Sequence, residues 1–99
     1  MNIHRLRALD PGPPDGPPRK VLHESAKFKA LLIMLPPGGV IPPCEMSSHV
    51  IFTVIEGAVE VTVNGDPVAL TDGDCLITEP ATLSMRSAGG ARVMGTQIH

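Results

Sequence analysis

The chain has 99 residues with eight basic and ten acidic side chains, so its net charge is −2. This length corresponds to one small domain, and an apolar fraction of 42 % is too high for a disordered chain. Basic residues do not outnumber acidic ones, which argues against a nucleic-acid partner. The eleven prolines and ten glycines argue against a helical bundle.

The first predicted segment is an N-terminal arm, residues 1–19, which ends in a loop rich in proline and glycine. Residues 11–18 read PGPPDGPP, a composition that lacks backbone donors and resists regular structure. The charged start of the arm has no apolar run behind it, so it does not resemble a signal peptide. No segment reaches the roughly 18 consecutive apolar residues of a membrane span. We therefore expect a cytoplasmic protein with no membrane partner.

Residues 20–99 are predicted to form a single β-domain, because short apolar runs alternate with turn residues. The predicted strands are residues 20–24, 28–35, 50–55, 59–63, 68–70, 75–78, 82–86 and 93–98. Residues 36–39 and the pair Pro42-Pro43 are assigned to connections. Asn64-Gly65 predicts a two-residue hairpin turn. Eight or nine strands at a spacing of about ten residues are typical of a sandwich or barrel.

One predicted strand is apolar on both of its faces. Since neighbouring side chains point to opposite faces, Val50 and Phe52 share one face while Ile51 and Ile55 share the other. A small closed barrel has only one interior, so the outer apolar face must be covered. A chain of this length has few residues left for a second layer. We therefore expect a homodimer, and a second layer within the monomer is the alternative.

Residues 38–57 resemble the first sequence motif of the cupin family, G-x5-H-x-H-x3-E-x6-G. The spacing of that motif is kept by Gly38, Cys44, Met46, Val50 and Gly57. Residues 58–65 resemble the hairpin that follows this motif. Residues 73–81 resemble the start of the second cupin motif, with Ser84 at its histidine position. The resemblance covers residues 28–98 and implies an all-β fold, a small double-stranded β-helix or jelly-roll barrel with a pocket inside one end.

The four positions that bind a divalent metal in this family are changed here. They are occupied by Cys44, Met46, Val50 and Ser84. Iron, manganese, nickel and zinc prefer imidazole and carboxylate ligands, and valine has no ligand atom. Cys44 and Met46 could hold only a soft ion such as Cu(I), and two ligands without histidine are few. We therefore predict no metal site and no cofactor.

The same positions predict an apolar pocket for a small molecule. The residues expected to line the pocket are Cys44, Met46, Val50, Phe52, Ser84 and Arg86. Arg86 lies two residues after Ser84 and shares its face, so it becomes a buried anchor for an anion if that face points inward. If the strand ends at Met85, Arg86 is solvated instead. No catalytic residue is predicted.

The sequence leaves three functions open. The leading prediction is a protein that binds an unknown small molecule without the usual metal. The second is a degenerate metal-dependent enzyme, an isomerase or an oxygenase, that uses Cys44 with His49 or His23. The third is a regulatory or accessory protein that acts through its partner surface. His49 directly precedes Val50 and is therefore expected to point away from the pocket.

Overall fold

The computed structural model of the protein describes residues 1–12 and 18–99, and these residues form eight β-strands. In chain order the strands are β1 (Arg19–Glu24), β2 (Phe28–Leu35), β3 (Gly39–Glu45), β4 (His49–Val63), β5 (Asp66–Thr71), β6 (Cys75–Thr78), β7 (Thr82–Ser87) and β8 (Ala91–Ile98). Residues 13–17, most of the predicted proline-rich loop, lie outside the described residues. The described part of the chain has no helix that is long and apolar enough to cross a membrane.

The strands form two antiparallel sheets that share β4. Sheet A runs in the order β1, β2, β8, β4 and β6, and sheet B in the order β5, β4, β7 and β3. The first half of β4 pairs with β8 and β6, whereas its second half pairs with β5 and β7. The two sheets enclose a common interior, and this arrangement confirms the predicted all-β jelly-roll barrel.

β4 passes from sheet A to sheet B at a bend near Gly57. The sequence predicted two strands here, but the chain continues as one strand of 15 residues. A bulge between Val54 and Glu56 and the positive φ of Gly57, 93°, turn the strand. The Gly57 amide donates a hydrogen bond to Asp72 Oδ1 at 2.7 Å, so the bend keeps its polar group paired. The predicted break is therefore a bend within a strand.

β3 is a strand that the sequence analysis assigned to connections. Its Pro42 and Pro43 lie in the irregular stretch between Ile41 and Cys44, where the pairing with β7 is interrupted. Proline lacks an N–H donor but is tolerated at the edge of a sheet, and β3 is the edge strand of sheet B. The prolines interrupt the ladder without ending the strand, so Cys44 is held on a strand and not on a loop.

The predicted hairpin turn at Asn64-Gly65 is confirmed. Asn64 has a φ of 50° and Gly65 a φ of 88°, the two positive values that a type I′ turn requires. The Asn64 side chain also accepts a hydrogen bond from the Thr82 amide at 2.9 Å, and the Asn64 amide donates to the Thr82 carbonyl oxygen at 2.9 Å. The turn is therefore tied to the start of β7.

The interior of the barrel is filled by alternate residues of the strands. In β4, Val50, Phe52 and Val54 are buried, while Ile51 and Thr53 on the opposite face are half-buried. The alternation expected for this strand is confirmed. The rest of the buried cluster is Leu31, Ile33, Leu35, Val59, Val61, Leu70, Ala81, Leu83, Met85, Ala91 and Val93.

The N-terminal arm lies along the outer face of sheet A, the face turned away from the barrel interior. Arg92 of β8 donates from Nη1 to the Leu6 carbonyl oxygen at 2.7 Å. Arg7 donates from Nη2 to the Ile55 carbonyl oxygen at 3.2 Å. Leu6 and Leu9 are half-buried, so the arm covers part of the outer apolar face that the sequence analysis left uncovered.

Candidate functional site

A cavity of about 80 Å³ lies between sheets A and B at one end of the barrel. It is lined by Arg19, Leu31, Ile33, Ile41, Cys44, Met46, Val50, Phe52, Leu83, Ser84, Met85, Gly95 and Gln97. Since a water molecule takes up about 30 Å³ of the liquid, the cavity encloses roughly two to three water-sized groups. Aliphatic side chains and sulfur atoms form most of its walls, and walls of this kind favour an apolar occupant.

Most residues that the sequence analysis proposed for a pocket come together at this cavity. Val50 and Phe52 point inward from β4, Cys44 approaches from β3, and Met46 follows the end of β3. Gly95 lies opposite Phe52 on β8, and a Cβ there would be only 3.2 Å from Phe52 Cε1. The lack of a side chain at residue 95 therefore leaves room for the Phe52 ring at the cavity wall.

The structure places Arg86 outside the cavity and corrects its predicted role as an inward anchor. β7 extends to Ser87, and within it Leu83, Met85 and Ser87 are buried whereas Arg86 is exposed. Arg86 Nη2 pairs with Glu60 Oε1 at 3.0 Å, and 69 % of the Arg86 side chain is exposed. Successive side chains of a strand point to opposite faces, so Arg86 points outward because Met85 and Ser87 on either side of it point inward. The guanidinium of Arg86 therefore stays hydrated.

The fully inward position on β7 belongs to Met85 and not to Ser84. Met85 is 4 % exposed and lines the cavity. Ser84 is half-buried and borders both the cavity and the surface groove beside Arg86. The sequence carried this signal, because apolar Leu83 and Met85 alternate with polar Ser84 and Arg86. The spacing taken from the cupin motif overrode that alternation.

Two polar side chains that the sequence analysis did not single out also line the cavity. Arg19 lies opposite Ile33 in the ladder of β1 and β2, and Gln97 lies opposite Val50 in the ladder of β8 and β4. Arg19 is exposed and Gln97 is half-buried, so both are in contact with solvent. Among the described residues, Arg19 has no carboxylate partner within 4 Å. Its positive charge is therefore available to an occupant of the cavity.

The two histidines considered as partners of Cys44 do not line the cavity. His49 is exposed and lies on the face of β4 opposite to Val50. His23 is exposed on β1 and stacks on the ring of Phe28, with ring centroids 5.0 Å apart. No described residue that lines the cavity carries an imidazole or a carboxylate.

A family model, that of the cupin domain, matches residues 31–84, which are more than half of the chain. The chain belongs to the cupin family. This assignment agrees with the jelly-roll barrel and confirms the resemblance found in the sequence. No curated protein matches this cupin at a significant level.

Solved structures share the fold of this cupin. TT1209 from Thermus thermophilus is 22 % identical with a TM-score of 0.86, over 99 % of this chain and 97 % of that one. An RmlC-like cupin from Desulfovibrio desulfuricans is 20 % identical with a TM-score of 0.86, over 99 % and 96 %. An RmlC-like cupin from Shewanella frigidimarina is 22 % identical with a TM-score of 0.76, over 81 % and 73 %. At these identities the similarities establish the fold alone.

The residues of this cupin do not fit the divalent metal that its family implies. Val50 has no donor atom, and Ser84 does not occupy the fully inward position of its strand. The described residues contain no group of three or more His, Cys, Asp or Glu side chains that could hold a metal ion. Iron, manganese, nickel and zinc need such ligands. The donor atoms that do remain at the cavity are mainly sulfur.

Proposed function

We propose that this cupin binds a small apolar molecule with an anionic end in the cavity between its sheets. The proposal depends on one observation, the combination of apolar walls with the exposed cation of Arg19 and the amide of Gln97 in the lining of the cavity. Burial contributes about 0.8 kcal/mol per methylene group, so the walls favour a short hydrocarbon chain. A carboxylate beside Arg19 would accept charge-assisted hydrogen bonds from its guanidinium.

The volume of the cavity sets the size of the ligand. Pentanoate has roughly seven non-hydrogen atoms, so only the end of its chain fits the space for two to three water-sized groups, and its carboxylate lies outside, beside Arg19. Burial of the chain end contributes roughly 2 kcal/mol, and hydrogen bonds to a cation contribute roughly 1.5–3 kcal/mol. Because binding also costs translational and rotational freedom, the net free energy is smaller than this sum, and we expect a Kd of more than about 1 mM.

Calorimetric titration with sodium pentanoate and with pentan-1-ol tests this proposal. The wild type is expected to bind pentanoate more tightly than the alcohol. Arg19→Met should weaken pentanoate binding by about tenfold or more, because it removes the charge-assisted hydrogen bonds. Arg86→Met is the matched control and should bind like the wild type, since Arg86 lies outside the cavity. Equal affinities of the wild type and Arg19→Met, or no saturable heat with either compound, would contradict the proposal.

A metal-dependent enzyme is the less supported alternative. It needs an imidazole beside Cys44, but His49 and His23 are exposed on other parts of the surface and do not line the cavity. A reactive thiolate also needs a base or a cation next to it. Among the described residues, the hydrogen-bond partner of Cys44 Sγ is the Glu45 carbonyl oxygen at 4.0 Å. A carbonyl oxygen does not activate a thiol.

We also propose that a second copy of the chain covers the outer face of sheet A. On this face Phe28, Ile77 and Ile98 are 39 %, 72 % and 43 % exposed. Phe28 pairs with Ile98, and Ile77 pairs with half-buried Ile51, so the four side chains form one patch across sheet A. Exposed apolar patches of this kind mark interaction surfaces, and a stable dimer buries at least about 1,000 Å².

Light scattering at micromolar protein concentration tests the dimer. The wild type is expected to be a dimer and Ile77→Asp a monomer. Val40→Asp is the control, because Val40 is 61 % exposed on the edge strand of sheet B and should leave the dimer intact. A stable wild-type monomer would contradict the dimer. A patch occupied only by a different protein would favour the regulatory alternative instead.

A cytoplasmic location is part of this proposal. Both cysteines, Cys44 and Cys75, are free and exposed. Thiols persist in this state in reducing compartments, whereas oxidising compartments favour disulfides. Thiol labelling in intact cells should therefore modify Cys44, which lies away from the proposed dimer face, with a membrane-permeant reagent and not with an impermeant one.

A further inference from the structure

Three sulfur atoms border one wall of the cavity, and the fold brings them together from separate parts of the chain. Cys44 lies near the end of β3, Met46 follows that strand, and Met85 lies on β7. In the ladder of β3 and β7, Cys44 pairs with Leu83, and the Met46 amide donates to the Ala81 carbonyl oxygen at 2.9 Å. These bonds hold the three backbone positions next to one another.

The fold also directs the three side chains to the same place. Met85 pairs with Ile41 and Leu83 pairs with Cys44, so Met85 and Cys44 belong to neighbouring pairs of this ladder, on either side of its bulge. The side chains of Cys44, Met46 and Met85 all line the same cavity. Each methionine side chain has several rotatable bonds and adapts to irregular gaps. Both thioether sulfurs can therefore turn toward the Cys44 sulfur.

This donor set differs in kind from that of the metal sites its family implies. Thiolate and thioether are soft ligands and select soft ions such as Cu(I), whereas iron, manganese and nickel prefer nitrogen and oxygen. No described residue at the cavity offers an imidazole or a carboxylate. The sequence alone showed two sulfur donors, and the structure adds Met85 as the third because it places Met85 inward.

We propose that Cys44, Met46 and Met85 bind one Cu(I) ion in the barrel. On binding, the Cys44 S–H bond breaks and a copper–sulfur bond forms. The proton goes to solvent, and no electron is transferred because the copper enters as Cu(I). One thiolate with one monovalent cation makes a neutral complex, so the apolar cavity does not have to hold an uncompensated charge. Cys44 is exposed, which gives the ion a path from solvent.

This site is separate from the proposed ligand anchor. Arg19 and Gln97 belong to sheet A, whereas Cys44 and Met85 belong to sheet B. The two proposals use different polar groups of one cavity, so the carboxylate of pentanoate does not need the sulfur atoms. A variant that loses Cu(I) but keeps pentanoate separates failure of one proposal from failure of the other.

Competition for Cu(I) with the chromogenic chelator bicinchoninate, under anaerobic conditions and with reduced protein, tests the site. The wild type should withdraw about one equivalent of Cu(I) from the chelator. Cys44→Ser should weaken binding by about 100-fold or more, and Met46→Leu and Met85→Leu by about tenfold each. Leucine conserves the volume of methionine, so both variants should fold. Met46→Leu, at a half-buried position, keeps the test valid if Met85→Leu is unstable.

Matched controls carry the same residue types on the outer face of sheet A. Cys75→Ser and Met94→Leu should bind Cu(I) like the wild type, because neither residue lines the cavity. X-ray absorption at the copper edge should show sulfur neighbours only. The proposal is wrong if the wild type does not compete with bicinchoninate, if Cys75→Ser loses as much affinity as Cys44→Ser, or if both methionine variants bind like the wild type.

Discussion

The bend of β4 at Gly57 predicts a large loss of stability on addition of one methyl group. Gly57 has a φ of 93°, a region that side chains with a Cβ rarely adopt. A Cβ at this position would overlap the Gly90 carbonyl oxygen and lie 2.9 Å from Ala91 Cα. These obstacles are backbone atoms of the turn before β8 and of its first residue, so they cannot rotate away. Gly57→Ala therefore meets both backbone strain and a steric clash.

The two effects can be given separate magnitudes. Left-handed backbone costs a residue with a Cβ about 1–2 kcal/mol. Crowding a packed site by one methyl group costs a further 1–3 kcal/mol, roughly. We therefore expect Gly57→Ala to lower the free energy of unfolding by about 2–5 kcal/mol. In a domain of this size 1 kcal/mol changes Tm by about 4–8 °C, so Tm should fall by at least about 8 °C.

Gly65→Ala is the matched control for the steric part of this loss. Gly65 has a φ of 88°, nearly that of Gly57, but nothing lies within 4 Å of the Cβ it would carry. Its substitution should cost only the backbone strain, about 1–2 kcal/mol. Urea unfolding followed by circular dichroism at one fixed protein concentration measures both variants. Equal losses for Gly57→Ala and Gly65→Ala would refute the close approach of β4 to the turn at Gly90.

Three further predictions concern the core, the surface and the metal. Ser87 is 3 % exposed and donates to the Ala58 carbonyl oxygen at 2.6 Å, so Ser87→Ala should lower the free energy of unfolding by about 1–3 kcal/mol in urea titration; an unchanged midpoint would contradict this pairing. Arg86→Ala removes an exposed ion pair with Glu60 and should change stability by less than about 1 kcal/mol, whereas a larger loss would mean that Arg86 is buried. The chelator EDTA should leave Tm unchanged in protein purified without an affinity tag. The absence of the usual metal site would be contradicted if this protein held stoichiometric iron, manganese, nickel or zinc and if removal of the metal by EDTA lowered Tm.

The sequence predicted features that depend on local chemistry. The alternation of Val50 and Phe52 with Ile51 follows from strand geometry and holds in the structure. The turn at Asn64-Gly65 also follows from local geometry, because those residue types accept positive φ. The spacing of turns predicted a sandwich or barrel, and the resemblance to the cupin motifs implied the jelly-roll barrel that the structure has.

Other features depend on contacts between distant segments, and the sequence did not predict them. Pro42 and Pro43 were interpreted as a connection because proline usually interrupts a strand. Proline is tolerated in an edge strand, but the sequence does not show that β3 lies at the edge of sheet B. Glu56-Gly57 indicated a strand end because nothing local shows that the turn at Gly90 packs against the bend. Arg19 was missed because the sequence analysis assigned it to the N-terminal arm, and nothing local shows that it begins β1 and lines the cavity.

An NMR titration of the amide signals with sodium pentanoate tests the central claim, ligand binding inside the barrel, most directly. Saturable shifts are predicted at the amides of Val50, Phe52, Gly95 and Gln97, which line the cavity. The amides of β5, which does not line the cavity, should stay unchanged and serve as the internal control. Shifts confined to the outer face of sheet A, or shifts that grow without saturating, would contradict binding in the cavity.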